Sequence, residues 1–153
     1  MDYTIAIEKF HENYGEIQML YREHYNEMRE RMSSQGVEMS PYNPRLDEYF
    51  KASIGGWLIN IIARDGEKAV GYCNVYITAD MHNHDLIAKE DAIFVTKSHR
   101  HGLGKDIVRF GLEELRKRGV KRLNVSAVTD LRVAKLWRRM GFKHTAHEMT
   151  YTF

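Results

Sequence analysis

The stretch Phe94-Val95-Thr96-Lys97-Ser98-His99-Arg100-His101-Gly102-Leu103-Gly104-Lys105-Asp106-Ile107 decides the reading of this chain. An apolar run suited to a buried strand leads into a short basic loop with two glycines, and a helical pattern follows. Two glycines let main chain approach a phosphate closely, and the first N–H groups of the helix are unpaired at the positive end of its dipole. Arg100, His99, His101 and Lys105 reinforce that sign, so the segment reads as an anion site. It is not the three-glycine dinucleotide fingerprint, and it lacks the Gly-Lys-Ser/Thr that ends a P-loop.

Working outward from that loop, the element pattern is regular. Tyr3 to Ile7 alternates like a short strand. Phe10, Ile17, Leu20, Tyr21, Met28 and Met32 then recur at helical spacing, with a break expected near Gly15. Pro41 and Pro44 mark one loop, after which Arg45 to Ser53 suits a short helix with Asp47 and Glu48 favouring its dipole. Trp57 to Ala63 and Ala69 to Ile77 are β-rich runs joined by Arg64-Asp65-Gly66-Glu67, a hairpin signal. Ala92 to Val95 is the next strand, and Lys105 to Arg118 a helix ended by Gly119. A strand over Leu123 to Val128 precedes a helix from an Asp130 cap through Met140, stopped by Gly141. A final β pair is expected around Phe142–His147 and Met149–Phe153. The order is β-α-α-β-β-β-α-β-α-β-β, an α/β fold in which helices flank a mixed sheet.

The chain has 153 residues, 43% of them hydrophobic and 29% charged, which suits one domain over 1–153. Its 23 Lys and Arg against 21 Asp and Glu give a formal charge of +2, which disfavours a nucleic-acid partner. The basic run Arg116 to Arg122 crosses a helix end, where cations suit the dipole, and lacks the interleaved aromatics that stack on bases. Asp2-Tyr3-Thr4 starts acidic with no apolar signal core, and Ile54 to Ala63 is too short to span a bilayer. No membrane partner is expected. Cys73 is the sole cysteine, so no intramolecular disulfide can form, and a cytoplasmic location fits. It sits in an apolar strand with no basic neighbour, as a buried inert thiol does. His82-Asn83-His84, with Asp80 and Asp85, could begin a zinc site, but spacing supplies no third and fourth ligand, and no metal is expected.

Two motifs together carry a resemblance. The glycine loop after a central strand, and Leu136-Trp137-Arg138-Arg139-Met140-Gly141-Phe142, resemble the GNAT superfamily of acyl-CoA-dependent N-acetyltransferases. The first is similar to the family's pyrophosphate loop, Arg/Gln-x-x-Gly-x-Gly/Ala, and the second to its closing Leu-Tyr-x-x-x-Gly-Phe. The resemblance covers nearly the whole chain. Glu90-Asp91-Ala92-Ile93-Phe94-Val95 with Trp137 also resembles small phage-encoded members. Two departures stand out: His99 holds the Arg/Gln place with Arg100 displaced by one, and Trp137 stands where many members have a tyrosine that protonates the leaving thiolate. An indole N–H is far too weak an acid for that task.

The resemblance implies acetyl-CoA as acyl-donor cosubstrate and direct attack by a primary amine of a small molecule or a protein. It implies that Arg100, His101, Gly102, Leu103, Gly104 and Lys105 surround the pyrophosphate, that Phe94 and Val95 meet the pantetheine arm, and that Trp137 packs beneath it or in the core. At a pKa of ~10.4 only about one lysine-like amine in 2,500 is neutral at pH 7, so the acceptor must lose a proton. Glu90 and Asp91 are the candidate bases. Strand parity lets only one face a given side, and Asp91, four residues before Val95, is expected to share Val95's face. The competing reading is a catalytically degenerate GNAT scaffold that binds CoA or a protein, and a third is a binder of nucleotide phosphates. A homodimer stays open as the assembly.

Overall fold

Apolar residues that alternate in β1 (Tyr3–Glu8) need one buried face, whereas β2 (Leu58–Asp65), with Leu58 to Ala63 all buried, needs two. The computed structural model, which describes residues 2–128 and 130–153, meets both demands with a five-stranded sheet. β1 lies at its edge and β2 pairs with it. β3 (Lys68–Ala79), β4 (Leu86–Val95) and β5 (Arg122–Asn124) follow in chain order. All pairs are antiparallel except β4 with β5, which is parallel.

Helices cover both faces. α1 (Phe10–Ser34) and α2 (Leu46–Gly55) lay Phe10, Tyr14, Ile17, Leu20, Tyr21 and Ala52 against Leu58, Ile62, Tyr72 and Phe94. On the opposite face α3 (Leu103–Lys117) packs Leu103, Ile107 and Leu115 onto Ile59, Ile61, Cys73, Val75, Ala88 and Val95. α4 (Leu131–Arg139) joins that side through Trp137, which shares a narrow slit with Ile107 and Val108. The Asp130 side chain caps α4 by accepting the Arg132 N–H at 3.0 Å.

Four expectations are corrected. α1 runs unbroken through Gly15; a mid-helix glycine costs about 0.5–1 kcal/mol against alanine, and the buried aromatic stripe on either side outweighs it. The strand expected over Leu123 to Val128 stops at Asn124, because the next residues leave β4 to meet Glu90 and Trp137. The final β pair is absent: residues 142–153 carry no strand. Met149 and Tyr151 are 89% and 80% exposed, so their alternation with threonines buries nothing, and a hairpin without a face to cover is marginal. The last correction concerns β4. Asn74 pairs with Ala92 and Val75 with Glu90, which leaves Asp91 as an extra residue in a β-bulge. The bulge reverses the alternation, so Glu90 turns to the face of Val95 and α3, and Asp91 turns to α2, contrary to the parity expectation.

Candidate active site

β4 pairs with β5 only from Ile87 to Lys89; beyond that the two strands part. The Thr96 N–H donates to the Val70 carbonyl, which makes 70/96 a hydrogen-bonded pair and 71/95 and 73/93 the alternate kind. Ile93 and Val95 therefore turn their N–H and C=O groups away from β3, toward the side that β5 has vacated. The open main-chain edge thus belongs to Ile93 and to the N–H of Val95, whose carbonyl accepts from Arg100, with Phe94 directed at β3.

A turn over Lys97–His99 carries the chain from that edge to α3. Gly102 precedes the helix with φ +95°, a left-handed geometry that strains any side chain. No side chain caps α3, and the N–H groups of Leu103, Gly104 and Lys105 have no acceptor among the described residues. A Cβ on Gly104 would sit 4.0 Å from Leu136 and Val95, an ordinary contact. Packing therefore tolerates alanine there, and the glycine's effect is to leave the main chain open to whatever lies outside.

These parts border one cavity of about 430 Å³. Its apolar wall combines Ile93, Phe94 and Val95 with Val133 and Leu136 of α4. Five cations, Arg31, Arg100, Lys105, Arg132 and Arg139, stand against Glu27 and Asp130. Arg31, Arg100 and Arg132 are tied to those carboxylates, whereas Lys105 and Arg139 have no ion pair among the described residues. An apolar wall that shares one cavity with cations and unpaired N–H groups suits a ligand with a slender arm and a phosphorylated head.

The sequence candidates distribute unevenly. Phe94, Val95, Arg100, Gly102, Gly104 and Lys105 line the cavity. Arg100 donates from Nε to the Val95 carbonyl at 2.7 Å and from its terminal nitrogen to both Glu27 oxygens at 3.1 and 3.0 Å, with its carbon 5.2 Å from the centre of the Phe94 ring. His99 turns the other way, 2.8 Å from Thr96 Oγ1 and 3.5 Å from Asp65, which leaves the cavity side to Arg100. His101 is exposed, and the Leu103 side chain is core, so Leu103 offers only its N–H. Trp137 is buried behind the wall, donating its indole N–H to the Ser126 carbonyl at 2.9 Å.

Neither Glu90 nor Asp91 borders the cavity. Glu90 is 7% exposed, and burial pushes its carboxyl up to about 7, helped by the nearby Asp91 charge and opposed by a bond from the Ser126 N–H. Asp91 is also raised by desolvation, partly offset by the Tyr49 hydroxyl, which donates to it at 2.9 Å. Sequence reasoning missed the contributions of α1 and α4. His24, Glu27 and Arg31 recur at helical spacing, as do Arg132, Val133, Leu136 and Arg139, but only the packing shows which face meets the loop. Among the described residues no group of three or more His, Cys, Asp or Glu is placed to hold a metal ion.

Comparison with known proteins joins this geometry to a family. The likeness in fold extends to an aminoglycoside acetyltransferase, HMB0005, from an uncultured soil metagenomic sample, with TM-score 0.75, 17% identity, and 100% of this chain and 99% of that one covered. A ribosomal-protein-alanine N-acetyltransferase from Brucella melitensis biovar Abortus 2308 aligns with TM-score 0.72 at 14% identity, covering 99% and 100%. A GCN5-related N-acetyltransferase from Ralstonia eutropha JMP134 aligns with TM-score 0.75 at 15% identity, covering 99% of each chain. At such identities the likeness establishes the fold alone. A search of curated proteins finds no match. The family model for acetyltransferases of the GNAT family matches residues 9–142, a span that holds the bulged strand, the glycine loop and α4, and the chain belongs to that family.

Proposed function

We propose that this acetyltransferase moves an acetyl group from acetyl-CoA to a primary amine by direct attack, as one domain over 1–153 working in the cytoplasm. The observation that carries the reading is the continuity between the open edge of Ile93 and Val95 and the uncapped start of α3, within one cavity lined by cations. The pantetheine arm pairs with that edge. The diphosphate meets the N–H groups of Leu103, Gly104 and Lys105, with Lys105 and Arg139 as unpaired counter-charges. Bound there, acetyl-CoA supplies the thioester. Glu90, pushed up to about 7 on the Val95 face of β4 but set back from the cavity wall, is the better base of the two, and it takes the acceptor's proton through water. Asp91, held by Tyr49 on the opposite face, supplies negative charge for a cationic amine. No helix among the described residues is long and apolar enough to cross a membrane.

Calorimetry with CoA, and thiol release from acetyl-CoA over a panel of small and peptidyl amines, test the reading. Gly104→Val should abolish CoA binding while the circular dichroism spectrum is kept, and Gly104→Ala should weaken it less. Wild-type affinity in Gly104→Val would refute this placement.

A further inference from the structure

Acyl transfer from a thioester to an amine forms a C–N bond and breaks a C–S bond. The bonding pair leaves on sulfur, and the amine's proton passes to the base. The sulfur therefore gains charge as the bond breaks, and a hydrogen-bond donor beside it would lower the barrier. Among the described residues that line the cavity there is no tyrosine, serine or threonine. The Trp137 N–H is committed to the Ser126 carbonyl behind the wall. Lys105 stands in the first turn of α3, at the end suited to phosphate, and Arg139 lines the cavity from the last position of α4.

His24 remains. It projects from α1 into the cavity wall, and its ring stacks on Phe94 with centroids 5.1 Å apart and planes 19° from parallel. Phe94 lies between Ile93 and Val95, so the imidazole overlies the strand segment whose open edge would hold the arm. Nδ1 is 2.5 Å from the hydroxyl of the buried Tyr72, and Nε2 has no partner among the described residues.

We propose that His24 is a catalytic residue whose Nε2–H donates a hydrogen bond to the sulfur as the C–S bond breaks, with Tyr72 as the positioning residue that fixes its tautomer. The proposal rests on the acetyl-CoA reading and names the donor of that same site. Burial keeps the Tyr72 hydroxyl protonated and able to donate to Nδ1, and in the arrangement we propose it does so and leaves the imidazole proton on Nε2. Burial, aided by the Arg31 charge, lowers the imidazole to about 4, so it is neutral at pH 7. A neutral imidazole with a depressed pKa is an effective hydrogen-bond donor to developing charge. No proton leaves His24: the sulfur departs as thiolate, which a thiol pKa of ~8.5 permits, and takes its proton later from water.

The test combines three variants with imidazole ¹⁵N spectra of the wild-type protein. His24→Leu should lower kcat by about 10²-fold, the scale of losing one donor to developing charge, with the calorimetric Kd for CoA within about threefold of wild type. His24→Gln, whose amide nitrogen reaches a similar place, should recover to within about tenfold. The spectra should show the Nε2–H tautomer, with the Nε2 resonance moving when CoA is added, and Tyr72→Phe should populate the other tautomer. An unmoved Nε2 resonance at saturating CoA, or wild-type kcat in His24→Leu, overturns the proposal alone. Failure of the wild-type protein to bind CoA overturns the acetyl-CoA reading and this proposal with it.

Discussion

Glu90→Gln separates what a buried carboxyl costs the fold from what it contributes to the reaction. Glu90 is ionised in the unfolded chain above about 4.5 but in the folded protein only above about 7. Between those values the folded state holds one more proton, so the wild-type protein loses stability as pH rises through that window and then levels off. At about 1.4 kcal/mol per pH unit the full difference is ~3 kcal/mol, and some of it reflects the neighbouring Asp91 charge. Glutamine keeps the shape, can still accept the Ser126 N–H, and never ionises. At pH 8 the variant should melt above wild type by roughly 6–12 °C, from ~2–4 °C per kcal/mol for a chain of this size, and near pH 4 the two should nearly coincide. The wild-type kcat/KM should rise with pH through about 7, and the variant should lose about 10² or more in rate together with that limb. Scanning calorimetry at the two pH values and thiol-release kinetics across the range read both effects. Equal melting differences at pH 4 and pH 8, or a variant less stable at pH 8, would refute the assignment of a strained, buried carboxylate.

Two further substitutions probe the supports. Trp137→Phe removes the bond to the Ser126 carbonyl, whose own N–H steadies ionised Glu90; it should cost ~1 kcal/mol by chemical denaturation and move the kcat/KM limb to higher pH. Arg64→Met removes the guanidinium that bonds Glu8 at 2.8 and 2.9 Å and Glu16 at 2.7 Å, joining β1, β2 and α1. The Arg64 bond holds the Glu8 carboxyl below its usual range, so its stabilisation is present at neutral pH and lost as pH falls through the lowered value. The variant should be ~1–2 kcal/mol less stable at pH 7 in urea denaturation, with the gap closing as pH falls below the usual carboxylate range.

The order of elements through α4 was legible because each carries its own period and its own stops: the Asp-Gly turn of the β2–β3 hairpin, the glycine after α3, the Asp130 cap. The loop from Arg100 to Lys105 was legible for a local reason too, since an uncapped helix start with two glycines is a property of consecutive residues. The cavity's other walls were not. His24, Glu27 and Arg31 lie some seventy residues upstream of the loop, and nothing in their spacing says that α1 rather than solvent faces them. The parity of Asp91 misled because alternation holds only along an uninterrupted ladder, and a bulge leaves no mark in the apolar pattern. The C-terminal strands misled for the converse reason: Met149-Thr150-Tyr151-Thr152-Phe153 has strand periodicity, but periodicity without an acceptor edge buries no surface.

The bulge and the parting of β4 from β5 are best understood as one device. A regular strand would have put Asp91 beside Val95 and left Glu90 against Tyr49 and α2. With one residue inserted, neighbouring carboxylates face opposite sides of the sheet: Glu90 enters a narrow slit where Ser126 can reach it, and Asp91 stays among tyrosines on the other face. The same irregularity falls where the β5 ladder ends, one residue after Lys89, so the Ile93 and Val95 edge opens just beyond it. Ser126 is the hinge of the arrangement, because its N–H and C=O are turned to Glu90 and Trp137 and are thereby unavailable to a continued ladder. Extending β5 would thus close the cleft and unseat the Glu90 contact together, which is why a buried carboxyl poised near neutrality and an open strand edge occur side by side in this protein.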